Sequence, residues 1–231
     1  MQPRGPFRRS RRVAVVYHGG GWRDGSRQST VYRVCRRYLA RGFIVVNVEY
    51  RFGVVPASED AVHALAWVFG NVVQFGGDSE RVIVTGESAG AHLALLAAFS
   101  SARRVRGVVN FYGVTDLTSF AHARADDSLP GDNGQAVLQR LSPLELVGPH
   151  VCPVLSIHGT ADTMVPVDHT RRLTRRLRDA GVQAEEILVD GGDHGFEERE
   201  LDTVYQQVFR FVAACSATGT IGDRWCVSSL Q

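Results

Sequence analysis

Lysine is absent from this sequence, and all 26 residues in the combined lysine and arginine count are arginine. A phosphate-binding P-loop requires a lysine after its glycines, so this class of nucleotide site is excluded. No apolar run approaches the roughly 20 residues that a membrane-spanning helix needs. Acidic residues number 24, which gives a net charge of +2 and predicts no binding to nucleic acid or to a membrane surface.

Cysteine is also scarce, and the four cysteines do not form a metal-ligand pattern. Cys35 and Cys152 lie in or beside apolar segments and are predicted to be small core residues. A bridge between Cys215 and Cys226 would need an oxidising compartment, and the first apolar run is too short for a signal peptide. We therefore expect free thiols, a cytoplasmic location, and neither a metal nor a cofactor.

The 231 residues fit one domain, and 44% of them are hydrophobic, as in ordinary globular proteins. Residues 1–12 contain five arginines and are interpreted as a solvated basic leader, although an interaction tail or part of a targeting signal has the same composition. We expect the domain to occupy residues 13–214. Residues 215–231 are rich in Ser, Gly and Thr and are predicted to form a loose tail.

Short apolar, β-branched runs alternate with helical patterns along the domain. The runs are residues 13–17, 44–48, 82–85, 107–111, 154–158 and 185–189. Unbroken apolar runs of this length are typical of strands that are buried on both faces of a parallel sheet. The sequence therefore predicts an α/β fold with a mostly parallel sheet and helices on both faces.

The helical patterns have recognisable ends. A first helix is expected to begin at a Ser29-Thr30 cap and to end at Gly42. Its predicted buried face consists of Val31, Val34, Cys35, Tyr38 and Leu39. Ser58 and Asp168 are predicted to cap two further helices, and a last helix is expected from near Asp202 to Ala214.

One segment, residues 115–150, interrupts this alternation. It is polar, contains the turn signals Pro130-Gly131 and Asn133-Gly134, and lacks a strand pattern. Because it is long for a plain connection, we predict a small cap-like insertion near the mouth of the site.

The residues Gly86-Glu87-Ser88-Ala89-Gly90 match the Gly-x-Ser-x-Gly pattern, which chance alone could supply. Their context makes the match specific, because they follow an apolar run and precede the helix-prone residues 91–98, as a nucleophile elbow requires. The flanking glycines permit a strained turn that leaves the Ser88 hydroxyl exposed at a helix N-terminus. We therefore predict that Ser88 is a catalytic nucleophile rather than an ordinary turn serine.

A second glycine-rich segment, His18-Gly19-Gly20-Gly21-Trp22, directly follows the first predicted strand. Consecutive glycines let backbone amides point at one spot, which is what the stabilisation of an oxyanion needs. A flexible turn and a phosphate-cradling loop are the alternatives, and the latter lacks the Lys-Ser/Thr of a P-loop. With Ser88 nearby, we interpret the segment as an oxyanion loop, with the Ala89 amide as a further donor.

A serine nucleophile also needs a base and an orienting carboxylate, and after such an elbow they follow in the order Asp, His. Asp162 comes just after the predicted strand 154–158, and His194 follows the strand 185–189. Because ligands bind at the carboxyl edge of open α/β sheets, we expect both residues beside Ser88. His194 would remove the Ser88 proton and later protonate the leaving group, while Asp162 would fix the His194 tautomer and stabilise its imidazolium.

Other acidic residues and histidines compete for these roles. Asp168 fits a helix cap better than a triad acid, and Asp190 and Asp193 are interpreted as loop-shaping residues. His18 is expected to brace the oxyanion loop, and His92 is expected to pack or to form hydrogen bonds. His158 ends a predicted buried strand. The remaining histidines, without a catalytic context, are His63, His122, His150 and His169.

The two glycine motifs resemble those of the hormone-sensitive-lipase-like and related small microbial carboxylesterases of the α/β-hydrolase superfamily. The likeness covers residues 13–214 and includes further stretches: Glu49-Tyr50-Arg51, Pro56 before a helix, Gly76-Gly77-Asp78, His158-Gly159-Thr160-Ala161-Asp162 and Asp193-His194-Gly195-Phe196. The resemblance implies an α/β-hydrolase fold. It also implies the triad Ser88, Asp162 and His194 with the oxyanion amides of Gly20, Gly21 and Ala89.

Trp22 stands where many hormone-sensitive-lipase-like members have Phe. Together with residues 86–92, it also resembles the corresponding residues of small esterases of the acetyl-xylan, feruloyl and kynurenine formamidase type. We expect Trp22 and Glu87 to contact the substrate. Almost nothing precedes the first strand, so the usual N-terminal cap helices and two early strands of the larger esterases are expected to be missing. The minimal cap argues against a tunnel for long acyl chains, and the exposed sheet edge predicts a homodimer.

The leading hypothesis is a serine carboxylic-ester hydrolase that acts on short-chain acyl esters through an acyl-enzyme intermediate, with a small-molecule ester as its partner. An amidase, formamidase or peptidase would use the same triad, and the sequence does not separate these bonds. A non-catalytic binding protein of the same fold is the third hypothesis. Such proteins usually lack the triad histidine, which is present here as His194.

Overall fold

Six apolar runs form the strands of one parallel sheet, as predicted. The computed structural model describes residues 11–217 except 121, 122, 124, 125 and 132. The strand order is β2-β1-β3-β4-β5-β6, and every pairing among these strands is parallel. The strands are β1 (Arg11–Tyr17), β2 (Ile44–Val48), β3 (Gly77–Glu87), β4 (Gly107–Phe111), β5 (Val154–Gly159) and β6 (Ala184–Val189).

Helices occupy the connections between the strands and lie on both faces of the sheet. They are α1 (Arg27–Thr30), α2 (Arg36–Leu39), α3 (Val54–Asn71), α4 (Ala89–Phe99), α5 (Gly134–Leu141), α6 (Asp168–Asp179) and α7 (Glu198–Ala217). Alternate β1 residues face two separate apolar cores. One core is formed with α3, α4 and α6, and the other with the α1–α2 region and α7.

The first helical region differs from the prediction because Val31–Cys35, between α1 and α2, is a π-helix. Val34 and Tyr38 are buried as expected, whereas Val31 and Leu39 are 41% and 55% exposed. A π-helical turn holds more residues than an α-helical turn, so the spacing of 3.6 residues that predicted one buried face does not apply across it.

The prediction that Ser58 caps a helix is wrong, because α3 begins four residues earlier, at Val54. The Ser58 hydroxyl instead donates a hydrogen bond to the Val54 carbonyl at 2.7 Å. At the start of α3, the Val55 amide donates to Ser128 Oγ at 3.1 Å, across 73 residues of sequence. Asp168 lies within the first turn of α6, where no side chain forms a cap hydrogen bond.

The predicted domain limits shift slightly at both ends. Arg11 and Arg12 belong to β1 rather than to a leader, and α7 continues to Ala217. Residues 1–10 and 218–231, which include most of the predicted leader and tail and Cys226, lie outside the described residues. Cys35 and Cys152 are buried, as predicted, and Cys215 is buried as well; in the described part of the chain all three are free thiols. Among the described helices, none is both long and apolar enough to cross a membrane.

The predicted insertion, residues 115–150, contains α5 and two short 3-10 turns, and its described residues form no strand. Phe120 packs against Trp22 with 6.1 Å between ring centroids, and the Leu141 carbonyl accepts a hydrogen bond from His92 at 2.9 Å. These contacts place the insertion beside the glycine-rich loop and α4. Its role as a cap stays a prediction.

Candidate active site

The turn between β3 and α4 holds Ser88 in a strained backbone conformation, with φ 54° and ψ −120°. Such left-handed geometry costs a non-glycine residue about 1–3 kcal/mol and is found mainly at functional sites. A Cβ at Gly86 would lie 2.3 Å from the Gly90 carbonyl oxygen, and one at Gly90 would lie 2.2 Å from the His18 carbonyl oxygen. Both glycines of the motif are therefore required by close backbone packing, and the serine is presented at the N-terminus of α4.

The structure brings together the three residues of the predicted triad. His194 Nε2 lies 3.0 Å from Ser88 Oγ, and His194 Nδ1 lies 2.7 Å from Asp162 Oδ2. The Asp162 side chain is fully buried, and its Oδ1 accepts the amides of Met164 and Val165 at 2.9 and 2.8 Å. With Nδ1–H donated to the carboxylate, Nε2 is free to accept the serine proton, as a general base requires.

The predicted oxyanion loop lies against the serine because Tyr17, at the end of β1, is paired with Gly86 in β3. A Cβ at Gly19 would lie only 3.6 Å from Ser88 Cβ. Within the described chain, no backbone hydrogen bond outside the regular elements engages the three predicted oxyanion donors, the amides of Gly20, Gly21 and Ala89. These amides are thus available to a substrate oxygen next to Ser88, and their role in catalysis stays a proposal.

His18 braces the loop, as expected from the sequence. Its Nδ1 lies 2.7 Å from the Gly19 carbonyl oxygen, and its Nε2 lies 3.1 Å from a Glu49 carboxylate oxygen. The ring stacks on Tyr50 with 4.1 Å between centroids, and the Tyr50 hydroxyl donates to the His18 carbonyl at 2.7 Å. These contacts tie the loop to the end of the neighbouring strand β2.

Trp22 requires a correction, since only 1% of it is exposed and it has no surface for substrate. Its indole Nε1–H donates to His92 Nδ1 at 3.2 Å, and His92 Nε2–H donates to the Leu141 carbonyl at 2.9 Å. Burial lowers the pKa of His92 to about 4, so the ring is neutral near pH 7. The pair therefore links the glycine-rich loop, α4 and the insertion, in agreement with the structural role predicted for His92.

Glu87, the other residue predicted to contact substrate, has a side chain that is 13% exposed. One carboxylate oxygen accepts the Tyr112 hydroxyl at 3.0 Å and lies 3.6 Å from Arg33 Nε. Burial, together with Glu87, raises the pKa of Tyr112, which keeps the phenol protonated. The carboxylate is thus already engaged within the protein, and its contact with substrate stays a prediction.

Tyr112 is a site residue that the sequence reasoning missed. It follows β4 with φ 42°, and its ring packs edge-on against His194 with 4.7 Å between centroids. It also packs against Phe196, whose carbonyl accepts a hydrogen bond from Arg33 at 3.1 Å. Its position at the carboxyl end of a predicted strand was the available signal.

The contact of His158 with the triad carboxylate was also missed. His158 lies on the far side of this carboxylate from the site. Its Nε2 is 3.2 Å from Asp162 Oδ2, and its ring is fully buried. The strand pattern indicates only that His158 ends a buried strand, but its spacing of four residues from Asp162 was a signal in the sequence.

Asp190 and Asp193 have the loop-shaping roles that were expected, whereas the prediction that Asp168 caps a helix is wrong. Asp193 accepts the His194 amide at 2.7 Å, and Asp190 accepts the Thr160 hydroxyl at 3.2 Å. His122 lies outside the described residues. In the described part of the chain, no group of three or more His, Cys, Asp or Glu side chains is arranged to hold a metal ion.

Comparison with known proteins gives one matching family model, BD-FAE, over residues 6–177. Esterase LipC of Mycobacterium tuberculosis (strain ATCC 25618 / H37Rv) is 31% identical to this chain, over 80% of this chain and 53% of LipC. Esterase LipQ of the same organism is 33% identical, over 73% of this chain and 46% of LipQ. The chain therefore spans about half the length of these curated relatives.

Solved structures give the same fold. A hyperthermophilic esterase from the archaeon Pyrobaculum calidifontis superposes with a TM-score of 0.75 at 26% identity, covering 91% of this chain and 80% of that chain. The esterase Est2 of Thermogutta terrifontis superposes with a TM-score of 0.76 at 22% identity, covering 94% and 87%. Because Est2 is only 22% identical to this chain, its likeness shows the fold alone. The two superpositions confirm the predicted fold class.

Proposed function

Since this chain belongs to the BD-FAE family of α/β-hydrolases, whose model matches most of it, we propose that it is a serine carboxylic-ester hydrolase. The observation that carries the proposal is the continuous hydrogen-bonded chain from Ser88 Oγ through His194 to Asp162. A strained serine at a helix N-terminus, a base at 3.0 Å and a buried carboxylate together form the arrangement that acyl transfer needs.

The proposed reaction begins when Ser88 Oγ attacks the ester carbonyl carbon and its proton passes to His194 Nε2. The negative charge that develops on the carbonyl oxygen is stabilised by the amides of Gly20, Gly21 and Ala89. One such donor is typically worth about 10²–10³ in kcat. The imidazolium, held by Asp162, then protonates the leaving alcohol, and the acyl-enzyme remains. A water molecule, deprotonated by His194, hydrolyses this intermediate and restores Ser88.

We further propose a preference for short acyl groups. The small size of the insertion supports this preference, and its described residues pack against Trp22 and His92. The relatives LipC and LipQ carry the name esterase. A cytoplasmic location and a homodimer stay predictions, which fractionation and analytical ultracentrifugation would test.

A panel of p-nitrophenyl esters from acetate to palmitate tests the proposal. We expect the highest kcat/KM with acetate and butyrate. The variant Ser88→Ala removes the nucleophile and should lose at least about 10⁴-fold in kcat. Ser100→Ala is the matched control, because Ser100 lies exposed just after the other end of α4 and should leave kcat unchanged.

Three results would contradict the proposal. They are no hydrolysis of any ester in the panel, activity that survives Ser88→Ala, and faster cleavage of the corresponding p-nitroanilides, which would indicate an amidase.

A further inference from the structure

The triad carboxylate contacts two histidines rather than one. His194 Nδ1 and His158 Nε2 lie 2.7 and 3.2 Å from the same oxygen, Asp162 Oδ2. His194 side-chain exposure is 15%, whereas the His158 side chain has none. The two rings therefore reach the carboxylate from the site and from the protein interior, respectively.

The hydrogen-bond partners of His158 define its tautomer. Nε2 lies 2.8 Å from the Val165 carbonyl oxygen, which only accepts, so Nε2 carries the hydrogen and donates it to this oxygen. The same N–H edge of the ring lies 3.2 Å from Asp162 Oδ2. Nδ1 is then unprotonated and accepts the Thr170 hydroxyl at 2.8 Å. Burial lowers the pKa of His158, which agrees with a neutral ring.

The remaining donors to Asp162 come from the backbone. The amides of Met164 and Val165 both bind Oδ1. Oδ2, the oxygen that holds His194, has the Nε2–H edge of His158 at 3.2 Å as its second polar contact. A buried carboxylate oxygen is stabilised by polar neighbours of this kind, and the two amide contacts of the loop go to Oδ1 instead. Thr170 lies in α6, so the contact also joins the acid loop to that helix.

We propose that His158 is a positioning residue for catalysis: its Nε2–H edge, 3.2 Å from Asp162 Oδ2, holds the carboxylate in the orientation that His194 needs. This inference rests on the proposed ester hydrolase function. Without this contact, Oδ2 keeps only His194 as a partner among the described residues, while the two amides still hold Oδ1. The carboxylate is then less firmly oriented, and the His194 ring is less well aligned with Ser88. Loss of alignment affects the chemical step and leaves the substrate pocket intact, so kcat should fall without a matching rise in KM.

The experiment compares three variants of the full chain. His158→Phe keeps the ring volume and removes the donor. His158→Gln restores an N–H near the Nε2 position. His169→Phe is the matched control, because His169 is also a buried histidine, lies within α6, and is bonded to Thr115.

We measure kcat and KM on p-nitrophenyl acetate and the urea midpoint of unfolding for each variant. His158→Phe should lower kcat about 10- to 100-fold, because small misplacements of catalytic groups have effects of this size, with KM changed less than about twofold. His158→Gln should recover most of kcat. His169→Phe should lower the urea midpoint and keep kcat within about threefold of the wild type.

The proposal is overturned if His158→Phe keeps the wild-type kcat, if His158→Gln is no better than His158→Phe, or if His169→Phe loses as much kcat at a comparable urea midpoint. Failure of the proposed ester hydrolase function can be distinguished from failure of the role of His158. Labelling of Ser88 by a fluorophosphonate requires an aligned triad but no turnover of an ester. A slower rate in His158→Phe alone would then still support the role of His158.

Discussion

The sheet has two edges, one at the carboxyl ends of its strands and one at their amino ends, and the two edges differ in backbone strain. In the described chain, the three non-glycine residues with positive φ, Trp22, Ser88 and Tyr112, all follow the carboxyl ends of strands. The amino edge instead has a groove of about 1130 Å³ lined by apolar residues and by arginines such as Arg104 and Arg178. Backbone strain thus marks the edge where the chemistry is expected.

The polar groups of the two edges also differ in burial. At the carboxyl edge, His18, His92 and His158 are fully buried, and their ring nitrogens contact specific partners. At the amino edge, Arg104 and Arg178 are exposed to solvent, where ionic contacts contribute little. Substitutions at the carboxyl edge should therefore lower activity or stability strongly, and equivalent substitutions at the amino edge should change them little.

The largest expected effect is that of His194→Gln, which removes the general base. We expect kcat/KM for p-nitrophenyl acetate to fall about 10³- to 10⁴-fold or more, because Ser88 then lacks a proton acceptor. His150→Gln makes the same change at the amino-edge groove and should have no effect. Equal losses in the two variants would remove the functional distinction between the edges.

Close packing at the elbow predicts the next effect. Gly90→Ala places a Cβ 2.2 Å from the His18 carbonyl oxygen, so the backbone must shift. We expect unfolding free energy to drop by about 1–3 kcal/mol, as for other overpacked sites, together with a loss of activity. Gly70→Ala is the control, since a Cβ there meets nothing within 4 Å and lies in a helix. That variant should be stabilised by up to about 1 kcal/mol, and urea titrations that gave both variants equal midpoints would contradict the packing argument.

The buried neutral histidines predict a smaller, pH-dependent effect. Burial lowers the pKa of both His92 and His169 from 6.5 to about 4. Between these values the unfolded chain binds protons that the folded chain does not, so stability is full above about pH 6.5 and is lost as the pH falls toward 4. Urea titrations at pH 7.5, 6 and 5 measure this slope. His92→Phe should make the slope shallower, and a slope as steep as that of the wild type would contradict the account.

The smallest effect is expected at the amino edge. Arg178 donates from Nε to the Ala184 carbonyl at 3.1 Å in an exposed position. Arg178→Gln should change the unfolding free energy by less than about 0.5 kcal/mol and leave kcat/KM unchanged. A loss of activity in this variant would show that the groove contributes to turnover.

The sequence predicted the six strands and the three triad residues because each of these residues follows an apolar run whose strand ends at one edge of a parallel sheet. Local patterns could not reveal the contacts of His158 and Tyr112, which depend on side-chain directions across neighbouring strands. They also could not reveal the cap that Ser128 provides to α3, or the π-helix that exposes Val31, since both depend on tertiary packing. Trp22 was assigned to substrate by analogy, and its burial overturned that assignment.

The most direct test of the central claim is the reaction of the purified protein with a fluorophosphonate, followed by intact-mass analysis and peptide mapping. An activated serine forms a stable covalent adduct with this reagent, whereas ordinary hydroxyls do not. We predict one adduct per chain, located on Ser88. The absence of an adduct, or an adduct on any other residue, would contradict the assignment of Ser88 as the nucleophile.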